Sequence, residues 1–324
     1  MTAQRPLLRR AGGAWRPEAP VMLPPIYAWP PRPRAVARWL FGVPGFLWPM
    51  NCLTLGIAVV TWVYLTPSLT AMKTVEPWWV GLLLVRNLAL VGGFFGGLHL
   101  YLLVFKAQGS ELKFSARPLA TSNPNFLFGH QVRDNMCRTL CYGVPIITAY
   151  EAATDWLAAN GWICTSTADG GSVAFWSLFG ASILLAPVIH VIHFYVIHRA
   201  LHWPPLYRAV HHVHHLNVEV GPWSGLSMHP VELAIYFSTV CVQWLIAVHP
   251  VNALFQIYIA ALNAAVSHTG FDKVLIGGRP VLESNNYFHY LHHKHFECNY
   301  GATLVPIDQL VGTFHDGSDD VRPR

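Results

Sequence analysis

Six apolar stretches between residues 46 and 267 constrain this chain more than any other feature. A spanning helix needs ~20 mostly apolar residues, because each rises ~1.5 Å across a ~30 Å hydrocarbon core. The stretches are 46–67, 79–105, 139–158, 173–197, 231–248 and 251–267. The third is the weakest, since it holds Glu151 and Asp155. The last two are separated at His249 and Pro250. A proline there cannot continue a helix, so a helical hairpin is expected. Charge supports the same reading. An ordinary soluble domain carries about 25% charged residues, whereas this chain carries 11% with 53% hydrophobic residues and a mean hydropathy of +0.36. So few charges cannot cover a soluble surface of this size. An aromatic content of 13% excludes low-complexity disorder. The sequence predicts an all-α, polytopic transmembrane helical bundle.

The basic residues orient it. Residues 1–44 form a Pro/Arg-rich tail with Arg5, Arg9, Arg10, Arg16, Arg32, Arg34 and Arg38. The first 30 residues contain no apolar run, so a cleaved signal peptide is not expected. Loop 106–138 holds Lys106, Lys113, Arg117, Arg133 and Arg138. Loop 68–78 holds only Lys73 and Glu76, and loop 159–172 has no Lys or Arg. The positive-inside rule places the N-terminus, loop 106–138, segment 198–230 and the C-terminus on the cytoplasmic side. The net charge of +5 is mostly N-terminal and does not point to nucleic acid. Arg86, inside the second stretch, is expected to face the bundle interior. The six cysteines contain no C-x-x-C pair, and Cys137 and Cys141 read as packing residues one helical turn apart.

Histidine is the second anomaly. Of 18 histidines, 16 lie from His190 to His315. Three clusters stand out: His198 with His202 (H-x3-H), His211 with His214 and His215 (H-x2-H-H), and His289 with His292 and His293 (H-x2-H-H). Residues three and four apart share a helix face, so each cluster points its imidazoles one way. The topology puts all three at the same membrane face. Eight imidazoles exceed what one metal uses, so two metals are implied. Imidazole suits Zn, Cu, Fe and Ni. Structural zinc takes four ligands and catalytic zinc three plus water, so a pair of redox-active irons uses the count best. The zinc-protease H-E-x-x-H motif and the Glu-x-x-His pairs of soluble di-iron bundles are absent from the sequence. The bland alternative is a set of interfacial or pH-sensing histidines.

These residues resemble the fatty acid hydroxylase / sterol desaturase superfamily of membrane di-iron oxygenases. The resemblance spans roughly 175–316. Besides the clusters it includes His229-Pro230-Val231-Glu232, Ser267-His268-Thr269-Gly270, Asn299-Tyr300-Gly301 and a closing run from Asp308 through Gly312 and Thr313. Acyl-chain desaturases of the other membrane type usually separate their first two clusters further, whereas eight residues separate His202 from His211 here. The resemblance implies that His198, His202, His211, His214, His215, His289, His292 and His293 bind two irons on the cytoplasmic side, in a histidine-rich helical cap. It adds His268 as a ninth ligand. Where some members place a further histidine, this chain has Ala264 or Asp272. Glu232 and Asp308 are candidates to accept the second N–H of a ligand histidine. His193, His212 and His295 are further candidates to flank the site. His190 and His193 are placed to line a substrate path.

The implied activity is O2-dependent hydroxylation, or desaturation, of a C–H bond in a sterol, fatty acyl or sphingoid lipid, with hydroxylation favoured. The chain has no Gly-rich dinucleotide motif and no C-x-x-C-H haem motif. Two electrons must then come from a ferredoxin or a cytochrome b5-type donor with its reductase. Two rivals remain open: a membrane metal transporter or metal-buffering protein, and a bis-histidine haem carrier using His99, His190 or His193. The expected organisation is a cytoplasmic tail (1–44), N-terminal transmembrane helices (45–172), a catalytic domain (173–316) and a short C-terminal tail (317–324).

Overall fold

The computed structural model describes residues 21–164, 170–283 and 286–318. Four of the tail's seven arginines, and residues 319–324, lie outside the described residues. In chain order the elements are α1 (Pro33–Phe41), α2 (Cys52–Leu65, entered through a wide turn at Leu47–Asn51), α3 (Pro77–His99, continuing through Leu100–Val104), α4 (Gln131–Arg138) and α5 (Val144–Ala159). Then come α6 (Val173–Leu201), α7 (Pro204–Leu206), α8 (His212–His215), α9 (Pro230–Phe237), α10 (Val240–Ile246) and α11 (Pro250–Ser267). The strands β1 (Lys273–Ile276) and β2 (Arg279–Glu283), then α12 (Asn286–His295) and α13 (Ile307–Leu310), complete the chain.

Among the described residues, four helical stretches are long and apolar enough to cross a membrane: Leu47–Leu65, Pro77–Val104, Val173–Leu201 and Pro250–Ser267. Two of the six sequence candidates fall short of that standard. The region 139–158 is helical but carries buried Glu151 and Asp155 on α5. The region 231–248 is broken into α9 and α10 around Ser238 and Thr239. The four long helices are not equivalent. In the first three, 17–22% of the most apolar window is buried, whereas α11 is 89% buried. α11 is therefore the central post, and it packs against α2, α3, α5 and α6. The other three present apolar side chains such as Val63, Val85 and Leu184 outward, as lipid-facing helices do.

Local chemistry sets the helix starts. Ser172 caps α6 by accepting from the Phe175 N–H. His229 and His249 each accept from the N–H two residues on, before Pro230 and Pro250 in the first turns of α9 and α11. These two histidines therefore shape helix ends. Arg86 does face the interior. It pairs with Glu151 of α5 and donates to the Leu65 carbonyl, while Asn87 donates to Thr148 and Glu151.

The fold is mostly helical but not wholly so, which corrects the all-α expectation. β1 and β2 form an antiparallel hairpin with Ile276 opposite Arg279. Gly277 and Gly278 both take positive φ, +59° and +74°. A two-residue turn of this kind matches the twist of paired strands, and glycine adopts it without strain. The Gly-Gly pair was the readable signal. A strap formed by residues 21–51 runs back over the C-terminal half. The Val21 N–H donates to the Asp316 carbonyl at 3.0 Å, and the Tyr27 hydroxyl donates to the Leu304 carbonyl at 2.9 Å.

Candidate metal centre

Nine imidazoles gather where α6, α8, α11 and α12 meet, and they sort into two groups. His198, His202, His211, His215 and His292 form one; His214, His268, His289 and His293 form the other. Within each group the candidate ligand atoms all lie within 4.8 Å of one another. All nine histidines singled out from the sequence are in these groups.

The H-x2-H-H spacing explains the split. At ~100° per residue, positions i and i+4 lie ~40° apart, while i+3 lies ~100° from i+4. One such turn therefore faces two sites. On α8 and the turn before it, His211 and His215 join the five-histidine group and His214 the other. On α12 the roles reverse: His289 and His293 join the four-histidine group and His292 the five. The two groups touch, with the rings of His215 and His293 5.0 Å apart.

The ring nitrogens are arranged for a cation. The His198 Nδ1–H donates to the Tyr300 carbonyl at 2.6 Å, His292 Nδ1–H to Cys298 at 2.7 Å and His268 Nδ1–H to Ala264 at 2.8 Å. A carbonyl only accepts, so these Nδ1 atoms carry the proton and each Nε2 keeps a lone pair. His211 makes the same kind of contact through Nδ1 to Glu232 Oε1 at 2.7 Å. The Nε2 atoms of His198 and His211 are buried with no hydrogen-bond partner. In the four-histidine group, His268 Nε2 lies 3.1–3.3 Å from the Nε2 atoms of His214, His289 and His293. Three rings cannot all donate into that one lone pair. In the five-histidine group, His215 Nε2 lies 3.2 Å from His202 Nε2 and 3.1 Å from His292 Nε2. Nitrogens ~2.0–2.1 Å from one ion would sit about 2.8–3.4 Å apart for octahedral or tetrahedral angles. The residues fit two metal ions.

Burial keeps the rings neutral. It pushes His268 down to about 4, and with the neighbouring His198 it pushes His202 down to about 3. His211, His214, His215, His289, His292 and His293 are held well below their ordinary value, by burial first and by adjacent imidazoles second. Neutral imidazole is the ligand form.

The supporting shell is uneven. Glu232 touches His211 directly. Asp308 touches no histidine. Its carboxylate accepts from the Tyr300 and Gly301 N–H groups, both at 2.9 Å, and from the Thr313 hydroxyl at 2.7 Å. It thereby holds the loop whose Tyr300 and Cys298 carbonyls fix His198 and His292. These backbone acceptors leave no side-chain signature, although the Asn299-Tyr300-Gly301 run marked the segment. His193 bonds to Ser238 at 3.0 Å, His212 is exposed, and His295 stacks on His315 at 5.2 Å. None of the three joins either group. Gly225 also escaped the sequence reading. A Cβ there would lie 2.2 Å from the Ala264 carbonyl oxygen, so only glycine lets the 222–226 turn press against the end of α11 that carries His268.

A cavity of about 600 Å³ opens onto one group only. His214, His268 and His289 line it, and no member of the five-histidine group does. Its walls include Val191, Phe194, Met228, Tyr236 and Ile259, and the strap closes its outer side through Met22, Trp39 and Phe46.

The fold and the site together define an integral-membrane helical protein with two histidine groups able to bind metal. Residues 183–313 match the fatty acid hydroxylase family model. This part of the chain is similar to the fatty acid hydroxylase / sterol desaturase superfamily, as its histidine motifs implied. Among similar proteins, a Delta(7)-sterol 5(6)-desaturase of Gibberella zeae is 26% identical over 168 residues, covering 46% of this chain and 46% of the relative. The methylsterol monooxygenase erg25A of Aspergillus fumigatus is 29% identical over 155 residues, covering 41% and 46%. A very-long-chain aldehyde decarbonylase of Oryza sativa subsp. indica is 28% identical over 182 residues, covering 52% and 26%. The matches thus span less than half of each of these relatives. The family and these relatives are oxidoreductases that act on lipids. No solved structure matches the chain.

Proposed function

We propose that this chain is an O2-dependent lipid hydroxylase, with desaturation as the alternative outcome, built around two irons held by the nine grouped histidines. The observation that carries this reading is the opening of the four-histidine group into an apolar cavity among membrane-spanning helices. Iron bound there would supply O2 activation, and two electrons would come from a ferredoxin or cytochrome b5-type partner with its reductase. For hydroxylation the balance is one C–H bond, O2, two electrons and two protons, giving an alcohol and water.

The chain's own residues do the rest. The Tyr300, Cys298 and Ala264 carbonyls and Glu232 fix the ring orientations and keep Nε2 free to bind metal. Phe194, stacked on His198 at 4.8 Å, and the buried Met228 form apolar walls that exclude water. The lipid's body stays at bilayer depth while the reacting carbon is held beside His214, His268 and His289. Basic-loop counting favours the cytoplasmic side for the histidine cap. The proposed organisation is a cytoplasmic tail (1–44), transmembrane helices (45–172), a catalytic domain (173–316) and a C-terminal tail (317–324).

The test is comparative lipid mass spectrometry on cells with the gene deleted, restored, or restored as His214→Ala plus His292→Ala. A lipid that gains one oxygen only with the intact gene supports hydroxylation, and one that loses two hydrogens supports desaturation. Three indistinguishable lipidomes under aeration would overturn the reading and favour metal transport or storage.

A further inference from the structure

On the spanning helices that line the cavity, two polar side chains have no hydrogen-bond partner among the described residues. His190 of α6 and Asn263 of α11 both line it; His190 Nδ1 is buried with no hydrogen-bond partner, and the half-buried Asn263 makes no hydrogen bond among the described residues. Tyr236 links their two helices. The His190 ring meets the Tyr236 ring edge-on at 5.6 Å, and the Tyr236 hydroxyl donates to the Ala260 carbonyl, one turn before Asn263. Both sit within spanning helices, where an unpaired amide or imidazole is costly and marks a site of function. The cavity's charged lining residues among those described, Arg38 and Glu283, belong to α1 and β2, outside the spans. The part of the lining that the spanning helices supply is therefore uncharged, with one imidazole and one amide to satisfy.

We infer that His190 and Asn263 form a subsite for an uncharged oxygen function, a hydroxyl or carbonyl, on the lipid. This rests on the lipid-oxidising reading above and narrows its substrate class. An imidazole offers one donor and one acceptor, and an amide offers both, so the pair suits a group that donates and accepts, and does not suit a carboxylate or phosphate. The spacing carries a second constraint. Asn263 precedes His268 by five residues and His190 precedes His198 by eight, which places the subsite about 8–12 Å deeper along the helices than the metal groups. The substrate then carries its oxygen function about that far from the carbon that reacts. A plain hydrocarbon chain, or a lipid whose only polar group is a charged headgroup, leaves the subsite unsatisfied.

The experiment uses the purified full chain in detergent, offered equimolar pairs: cholesterol with cholestane, and octadecanol with octadecane. Bound lipid is extracted and quantified by mass spectrometry. The expected result is retention of the oxygenated member over its parent by about tenfold in at least one pair, the size of one well-made buried hydrogen bond. The sterol and chain pairs separate the two sources of the hydroxyl. His190→Leu with Asn263→Leu should bring the ratio to about one with metal content unchanged, and His190→Gln should keep most of the preference. A wild-type ratio near one in both pairs would overturn the subsite, whatever the variants do. So would an undiminished ratio in the double variant. If cells still oxidise a lipid in a gene-dependent way while the ratio is one, the subsite alone is wrong. If no lipid is oxidised, the activity is wrong, and a preference lost in the double variant would still establish the binding site.

Discussion

The two histidine groups are made from the same helices yet are built differently. The five-histidine group is shut off from the cavity, and three of its members, His198, His211 and His292, have Nδ1 held by a carbonyl or by Glu232. The four-histidine group faces the cavity with three of its members, and a carbonyl anchor is seen for His268. A well-anchored group away from the cavity suits a metal that must stay put. An open group with one fewer imidazole suits a metal that must share its surroundings with O2 and substrate. One H-x2-H-H turn, by facing two ways, can feed two sites of which one lines the cavity.

The largest effects should come from breaking either group. His292→Ala and His268→Ala should each abolish lipid oxidation, and each should lower bound metal from about two ions per chain to about one, measured by elemental analysis. Loss of both ions from each variant would show that the groups are a single unit. Next, Glu232→Ala should weaken metal retention about 10–100-fold against a chelator, because His211 loses the partner that fixes its proton. His193→Ala, which breaks only a contact to Ser238, should retain metal as the wild type does. Equal losses in both would erase the distinction drawn here between residues that touch the groups and residues that merely flank them.

Gly225→Ala should act on the open group from a distance. The added Cβ must push the turn off α11 beside His268, at a cost of about 1–3 kcal/mol, read from the unfolding midpoint in detergent. Gly277→Ala, with positive φ but no neighbour within 4 Å, should cost less. Acid acts on the metal-free protein through the same burial. The buried rings titrate below the ordinary histidine value of 6.5, to about 4 for His268 and about 3 for His202. Between 6.5 and those values the unfolded chain binds protons that the folded chain does not. Their contribution to stability is therefore full above pH 6.5 and is lost as pH falls toward 4 and 3. A thermal midpoint that rises on acidification would contradict the burial of these rings.

Much of this was legible in the sequence because it depends on period and composition. Apolar length marked the four spanning helices, three- and four-residue spacing marked eight of the grouped histidines, and the family resemblance added His268. What the sequence did not show depends on partners far apart in the chain. The division into five and four requires α8 and α12 to face each other. Asp308 acts through the Tyr300 and Cys298 carbonyls, and a backbone acceptor has no residue type to recognise. Glu151, which weakened the reading of 139–158 as a span, is buried against Arg86 from another helix. The β1–β2 hairpin is short and set in a helical chain, and its one local sign is the Gly277-Gly278 turn.

The most direct test of the central claim is the metal itself. Purified wild-type chain should carry about two irons in nitrogen- and oxygen-rich surroundings, by elemental analysis and Mössbauer spectroscopy, with about one iron remaining in His268→Ala. A single tightly held zinc, or iron content unchanged by His268→Ala, would contradict it.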